Sequence, residues 1–470
     1  MIRLFSAVLS VLLLAGCQLP ADRPLRPEQL SFVPLKFEPP AIERIELPNG
    51  IRLYLKEDHE LPLVRVTAML GAGSLRVPEG KEGLAALHAG LLRSGGAGDL
   101  EPAAFDERLA LRAIDLEASA DSYTLSIGLS ARSDDLQIGL AALRDMLLRP
   151  RFDGRRLELL RRQTIEGIRR RNDEPSSVAR RALWRNLYPG HPLGREATVA
   201  SVAAIGREDI VRFHRRFVAP NNLWLAVSGD FDRRQLLARL TELFGGWNSP
   251  RIELPPVPPL AASGRPALWV ADKKIPQTTI LFGEIGLSKD NPDVYAVRVM
   301  NFILGGGGFN SRLMREVRSN RGLAYSVYSY YQIGRLLPGP FIAGCETKTE
   351  STGEVVRLMR RLMRQMRDEP VSQEELRLAK ESLINSFVFA FEDLHDIVTR
   401  QMRLDFYGYP TDYLPRYRER LAAVTVEDVQ RVARRYLHPD RQLLVLVGDK
   451  EAFAGDLAGL GLPVREVDTD

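Results

Sequence analysis

Metal ligands and thiols are scarce in this chain. Its 470 residues hold six histidines, His59, His88, His191, His214, His395 and His438, and two cysteines, Cys17 and Cys345. Two cysteines so far apart make neither a disulfide framework nor a four-thiolate zinc site, and no two histidines lie four apart as helical zinc-binding pairs do. A long apolar run is lacking at the start as well, since residues 4–14 are apolar but too few to span a bilayer. The formal net charge of +5 is mild for this size, and the arginines are spread along the chain. That describes a solvated basic surface and implies no nucleic-acid partner. What is present is ordinary for a globular chain: 45% apolar and 27% charged residues, long enough for two or three domains.

The first residues carry one basic side chain, Arg3, then the apolar run, then Leu14-Ala15-Gly16-Cys17. A charged start, a short apolar core and small residues before a cut are the marks of a secretory signal. The Leu-Ala-Gly-Cys ending resembles a bacterial lipobox, which implies a signal peptide over 1–16 and a lipidated Cys17 as the first mature residue. Several acyl chains at about 0.8 kcal/mol per buried CH₂ would anchor the protein without a membrane-spanning helix. Gln18 after the cysteine points by analogy to the outer membrane, facing the periplasm. Residues 17–40 include Pro20, Pro24, Pro27, Pro34, Pro39 and Pro40 and read as an extended tether. Cys345 is then the single remaining thiol, expected in the core.

An internal repeat organises the rest. Residues 202–230 align without a gap on 421–449 at an offset of 219, pairing Glu208 with Glu427, Pro220 with Pro439 and Asp230 with Asp449. Each copy reads as an amphipathic helix, a proline turn, an apolar strand and a Gly-Asp stop. The same offset places Leu157 on Leu376, at the start of a long helix in each half. A period this long means a duplicated domain. The halves are assigned to 41–247 and 267–460, joined by a proline-rich linker over 248–266. In the first half Tyr123, Leu125, Ile127 and Leu129 alternate as a half-buried strand, and Leu136, Leu140, Leu143 and Leu147 follow at helical spacing. In the second, Ser372 and Glu375 form a capping box before a helix running towards Phe391. Mixed strands and helices in each half predict an α+β fold of two homologous domains, each a mainly antiparallel sheet packed with helices.

Several stretches together resemble a family. They are Leu47-Pro48-Asn49-Gly50, the turn from Gly71 to Ser74, Gly83-Leu84-Ala85 and Gly322-Leu323-Ala324-Tyr325. The chain is similar over about residues 42–449 to the insulinase or pitrilysin-like zinc peptidases, the inverzincins. Active members of that family carry His-x-x-Glu-His after the Gly-Leu-Ala: two zinc-binding histidines, a glutamate that activates water and a third ligand on a later helix. Here the histidine positions are Ala86 and Gly90, the glutamate position is Ala89, and family spacing places the third ligand on Gly167, beside Glu166. None of these four positions supplies a ligand or a base. A one-residue slip would reclaim Glu166, but one carboxylate makes no zinc site. His88 is two residues out of register and reads as a satisfied or solvent-facing histidine.

The second half retains what the resemblance assigns to a non-catalytic subunit, an arginine and a tyrosine seven apart: Arg318 and Tyr325. Asn310 or Ser311 can cap a short helix bearing Leu313 and Val317, with Gly322 as its stop. Tyr325, Val327, Ser329 and Tyr331 are expected on one face of the following strand. A guanidinium and a phenol there could donate to a peptide carbonyl as it becomes an oxyanion; the competing reading is an arginine stacked on an aromatic ring for stability. Arg315 and Arg321 have the wrong spacing and are read as solvated.

Before them, Gly305, Gly306, Gly307, Gly308 and Phe309 resemble a shortened form of the substrate-handling glycine-rich loop of mitochondrial processing peptidase. Four glycines in a row are not expected inside a helix. A phosphate loop is excluded by the missing Gly-Lys-Ser/Thr ending. The resemblance therefore implies a subunit that binds no metal of its own, partnered by an intact-motif peptidase that carries zinc, with peptides or unfolded segments as substrate. The alternative is a proteolytically inactive scaffold or binding lipoprotein of the same fold.

Overall fold

The computed structural model describes residues 40–260 and 265–468, so the signal segment, Cys17 and nearly all of the tether lie outside the described residues. Two six-stranded sheets form the frame, ordered β1-β2-β6-β3-β5-β4 and β12-β7-β11-β8-β10-β9. The first contains β1 (Glu43–Glu46), β2 (Arg52–Glu57), β3 (Leu63–Leu70), β4 (Asp115–Ala120), β5 (Leu125–Arg132) and β6 (Leu223–Gly229). The second contains β7 (Leu268–Asp272), β8 (Gln277–Ile285), β9 (Ala324–Tyr331), β10 (Pro340–Lys348), β11 (Leu443–Gly448) and β12 (Val464–Glu466). Most neighbours are antiparallel; β2 with β6, β7 with β11 and β7 with β12 are parallel. This is the expected α+β architecture written twice.

Helices α1 (Leu84–Ser94), α2 (Pro102–Ala110), α3 (Leu136–Leu148), α4 (Gly154–Arg170), α5 (Pro175–Leu187), α6 (Val199–Ala203), α7 (Arg207–Phe217) and α8 (Arg233–Phe244) belong to the first half. The second has α9 (Val294–Asn301), α10 (Thr352–Asp368), α11 (Gln373–Ser386), α12 (Leu394–Phe406), α13 (Tyr413–Ala422), α14 (Val426–Tyr436) and α15 (Lys450–Leu457). The 219-residue offset relates α7 to α14 and α5 to α12 at both ends. The periodic leucines of α3 are all buried, as are Leu125, Ile127 and Leu129 of β5, while Tyr123 precedes that strand. The capping box at Ser372 forms, and α11 gives way at Phe387 to a short 3-10 turn through Phe391.

One reciprocal exchange locks the halves together. Helix α5 buries Val178, Ala182 and Leu183 against Leu281, Val445 and Val447 of the second sheet. Its counterpart α12 buries Val398 and Met402 against Tyr54, Met69 and Ala226 of the first. Gly283 makes room for this, because a Cβ there would sit 2.8 Å from the Leu183 side chain. Polar contacts border the second seam. Asp405 accepts from Arg44 Nε at 2.7 Å and from the Tyr54 hydroxyl at 2.9 Å. His395 sits between the hydroxyls of Thr67 and Ser228, each at 2.8 Å. The proline-rich connection is pinned as it leaves the first half: Asn221 bonds Ile252 through both backbone groups, Arg76 donates to the Pro255 carbonyl and His191 to that of Pro258.

Candidate functional site

Helix α1 starts at Gly83, whose φ of +104° suits glycine, and turns one face to the core. Ala86 is exposed, Ala89 is 1% exposed and Gly90 is half-buried against Leu160 of α4. Gly167 lies on α4 with open space where a Cβ would be, and Glu166 beside it is exposed and paired with Arg170 at 2.8 Å. Methyl groups and hydrogens at these positions have no lone pair to offer zinc, and the buried Ala89 has no carboxylate to take a proton. Among the described residues no three His, Cys, Asp or Glu side chains are grouped to hold a metal ion. The residues present do not fit the metal that the family resemblance implies.

His88 faces inward, fully buried, and the fold supplies a neighbour that sequence spacing hid. Its Nε2 lies 3.1 Å from Nδ1 of His214, whose Nε2 lies 2.9 Å from the Leu147 carbonyl. Only one proton arrangement satisfies that chain: His214 donates from Nε2 to the carbonyl, and His88 donates from Nε2 to His214. Phe152 and Phe213 pack around the pair, and among the described residues His88 Nδ1 has no hydrogen-bond partner. Burial holds His88 well below the usual imidazole range and His214 down to about 4, so both are neutral core groups. Burial also pushes the Cys345 thiol up to about 12, which leaves it an inert core residue beside Met359.

The second half places Arg318 and Tyr325 together. The turn over 308–310 and Ser311 lead into a helix that widens into π geometry over Met314–Asn320, a form that gathers at functional sites. Gly322, at φ +63°, closes it: its N–H donates to the Arg318 carbonyl at 2.9 Å and that of Leu323 to Val317 at 2.9 Å. The Arg318 guanidinium carbon then lies 4.5 Å from the Tyr325 ring centre and 4.7 Å from that of Phe309. It is sandwiched between two rings that are 83% and 65% exposed. The other three arginines of the segment face carboxylates: Arg312 meets Glu375 at 2.7 Å, Arg315 meets Glu316 at 3.8 Å and Arg321 meets Glu354 at 3.2 Å. Among the described residues Arg318 has no such partner. Ring stacking engages the face of the guanidinium plane and not its N–H edge, so stacking does not preclude donation from that edge.

Two expectations change here. Tyr325 does not share a face with Val327 and Ser329. The β9–β10 register slips between Cys345 and Thr347, so β9 carries one extra residue. Ala324 and Val327 both point inward, and Tyr325 is turned out to solvent beside Arg318. Nor are the glycines excluded from helix: Phe302–Gly306 continues α9 as a π turn. A Cβ on Gly305 would lie 2.6 Å from the Ser329 backbone nitrogen, and one on Gly307 would lie 2.7 Å from the Phe302 carbonyl oxygen. Gly306 is exposed but its Cβ would meet Asn301, whereas Gly308, at φ +57°, faces open space next to Phe309. The run brings Phe309 to Arg318, a contact no motif spacing announced.

Comparison with known proteins is consistent across the chain. Residues 52–200 match the family described as Insulinase (Peptidase family M16), and residues 204–383 match the Peptidase M16 inactive domain. An uncharacterized zinc protease of Mycobacterium leprae is 27% identical over 430 residues, 84% of this chain and 89% of the relative. The non-peptidase homolog YmxG of Helicobacter pylori is 27% identical over 363 residues, 76% of this chain and 82% of the relative. The crystal structure of a peptidase M16 inactive domain from Pseudomonas fluorescens superposes with a TM-score of 0.78 at 25% identity, covering 87% of this chain and 98% of that one.

Proposed function

The chain belongs to the insulinase family, peptidase family M16, as an inactive member of the peptidase fold, and from that premise we propose that it is the non-catalytic, substrate-binding subunit of a two-component metallopeptidase. An intact-motif partner of the same family would hold the zinc, and this chain would supply Arg318 and Tyr325. The observation that carries the reading is the stacked Arg318, a guanidinium without a carboxylate partner among the described residues, held by the exposed rings of Tyr325 and Phe309. A guanidinium edge and a phenol are hydrogen-bond donors that bind an oxyanion more strongly than a neutral carbonyl, which favours the tetrahedral state of a peptide over its ground state. Peptides or unfolded segments are the substrates, because an extended backbone presents the carbonyls such donors recognise. The Leu14-Ala15-Gly16-Cys17 sequence supports a lipid-anchored location at the outer membrane, facing the periplasm.

The test is reconstitution with a purified intact-motif member. Arg318→Ala should lower turnover about 10²-fold without preventing assembly if Arg318 donates to the oxyanion. Loss of assembly in that variant, or unchanged turnover, would instead favour the inactive scaffold.

A further inference from the structure

A cavity of about 390 Å³ opens on the outer face of α12, where Arg335, Arg400, Arg403, Tyr407, Tyr409 and Asp396 contribute to the wall. Its charge is lopsided, three guanidiniums against one carboxylate. Arg335 donates to the Tyr407 hydroxyl at 3.1 Å and stacks on that ring at 4.8 Å, with the carboxylate of Asp121 4.0 Å away. Arg400 rests on the Phe391 ring at 5.4 Å, and its buried Nε has no hydrogen-bond partner among the described residues. Among the described residues neither Arg400 nor Arg403 has a carboxylate within 4.0 Å. Several other arginines of this half are matched, as in Arg312–Glu375, Arg364–Asp440 and Arg431–Asp293. Gathering three guanidiniums against fewer carboxylates costs energy that an arriving anion repays, and the planar guanidinium fork suits a carboxylate.

We propose that this cavity binds acidic side chains of a peptide ligand, so that the substrates of the assembled peptidase carry glutamate or aspartate some distance from the scissile bond. The proposal rests on the peptide-handling reading above. It is also placed for it: Arg335 follows the end of β9 opposite Tyr325, and ten residues of extended chain reach at most about 35 Å. An extended peptide of similar length can therefore address both sites. The aromatic walls, with Tyr407 buried and Tyr409 half-buried, give the acidic side chain's methylenes something to pack on.

The experiment uses the purified full chain without any partner and follows the anisotropy of a labelled peptide bearing two adjacent glutamates, against the same peptide with lysines. The glutamate peptide should bind at least about tenfold more tightly, and added salt should weaken it. Arg400→Gln with Arg403→Gln should lower its affinity about tenfold or more. Arg403→Gln alone, at an exposed position, should lower it severalfold and carries the test if Arg400→Gln disturbs packing on Phe391. Equal binding of both peptides, or binding unchanged in the variants, overturns the assignment. Displacement of the glutamate peptide by millimolar inorganic phosphate marks a small-anion site and overturns it too. Glutamate-selective binding that survives alongside failure of the reconstitution test keeps the cavity and removes the two-component reading.

Discussion

Lowering the pH from 7 to 5 should weaken the fold through histidines that it buries neutral. His214 is held down to about 4 by burial, partly opposed by its bond to the Leu147 carbonyl. His395 is also held down to about 4, by burial first and then by the charge of Arg65, at the seam between the halves. In the unfolded chain an imidazole titrates near pH 6.5. Between roughly 6.5 and 4 each of these groups therefore takes a proton in the unfolded chain and not in the folded one. Their full contribution is present above 6.5 and is lost as the pH falls towards 4, by about 2 kcal/mol per histidine at pH 5. His88, lowered further by burial, acts in the same direction. His59 and His438 oppose it, because hydrogen bonds to Asp230 and Glu284 raise them. Their contribution is present below 6.5 and fades as the pH rises through their raised values, and their exposure keeps it small. The assay is the urea midpoint at pH 7 and pH 5 for the wild type and for His214→Gln with His395→Gln. The wild type should lose about 4 kcal/mol more than the double variant over that interval. Parallel losses in the two proteins would refute the reasoning.

The reciprocal helix exchange predicts that Leu183→Ala, fully buried on α5, costs about 3–5 kcal/mol and lowers the melting temperature, with loss of contact between the halves visible in hydrogen exchange. Within the glycine run, Gly305→Ala drives a Cβ against the Ser329 backbone and should destabilise by about 1–3 kcal/mol, whereas Gly308→Ala meets only its φ of +57° and should cost about 1 kcal/mol in thermal melts. Writing the motif back as Ala86→His, Ala89→Glu and Gly90→His should not restore a peptidase: Glu at the 1%-exposed position 89 is buried, Leu160 crowds position 90, and α4 offers Gly167 in place of a ligand. Stoichiometric zinc in that triple variant by metal analysis, together with cleavage, would contradict it.

Much of the frame was legible in the sequence because its signals are local and written twice. The helix, proline turn and strand over 202–230 recur at 421–449, and α7 with β6 repeats as α14 with β11. At the positions that the family resemblance assigns to metal ligands and base, alanine and glycine offer no side-chain donor in any fold, and that much is read from the sequence alone. What sequence could not show depends on contacts far along the chain. His214 reaches His88 only because α7 crosses behind α1. The extra residue in β9 is invisible until Val327 pairs with Cys345 and Ala324 with Thr347, and it alone turns Tyr325 outward. Phe309 joins Arg318 through a π turn whose glycines looked incompatible with helix, and their tight contacts with Ser329, Asn301 and Phe302 explain why glycine suits them. Arg335 and Arg400, sixty-five positions apart, meet across a cavity that no periodicity marks.

The most direct test of the central claim is the rate of peptide cleavage by this chain mixed with an intact-motif family member, measured with Tyr325 and with Tyr325→Phe. The substitution keeps the ring on Arg318 and removes only the hydroxyl. Neither chain should cleave alone, the wild-type mixture should cleave, and the Tyr325→Phe mixture should assemble equally well yet turn over about 10²-fold more slowly. Equal rates from the two assembled mixtures, or a partner that is as fast alone, would contradict the account.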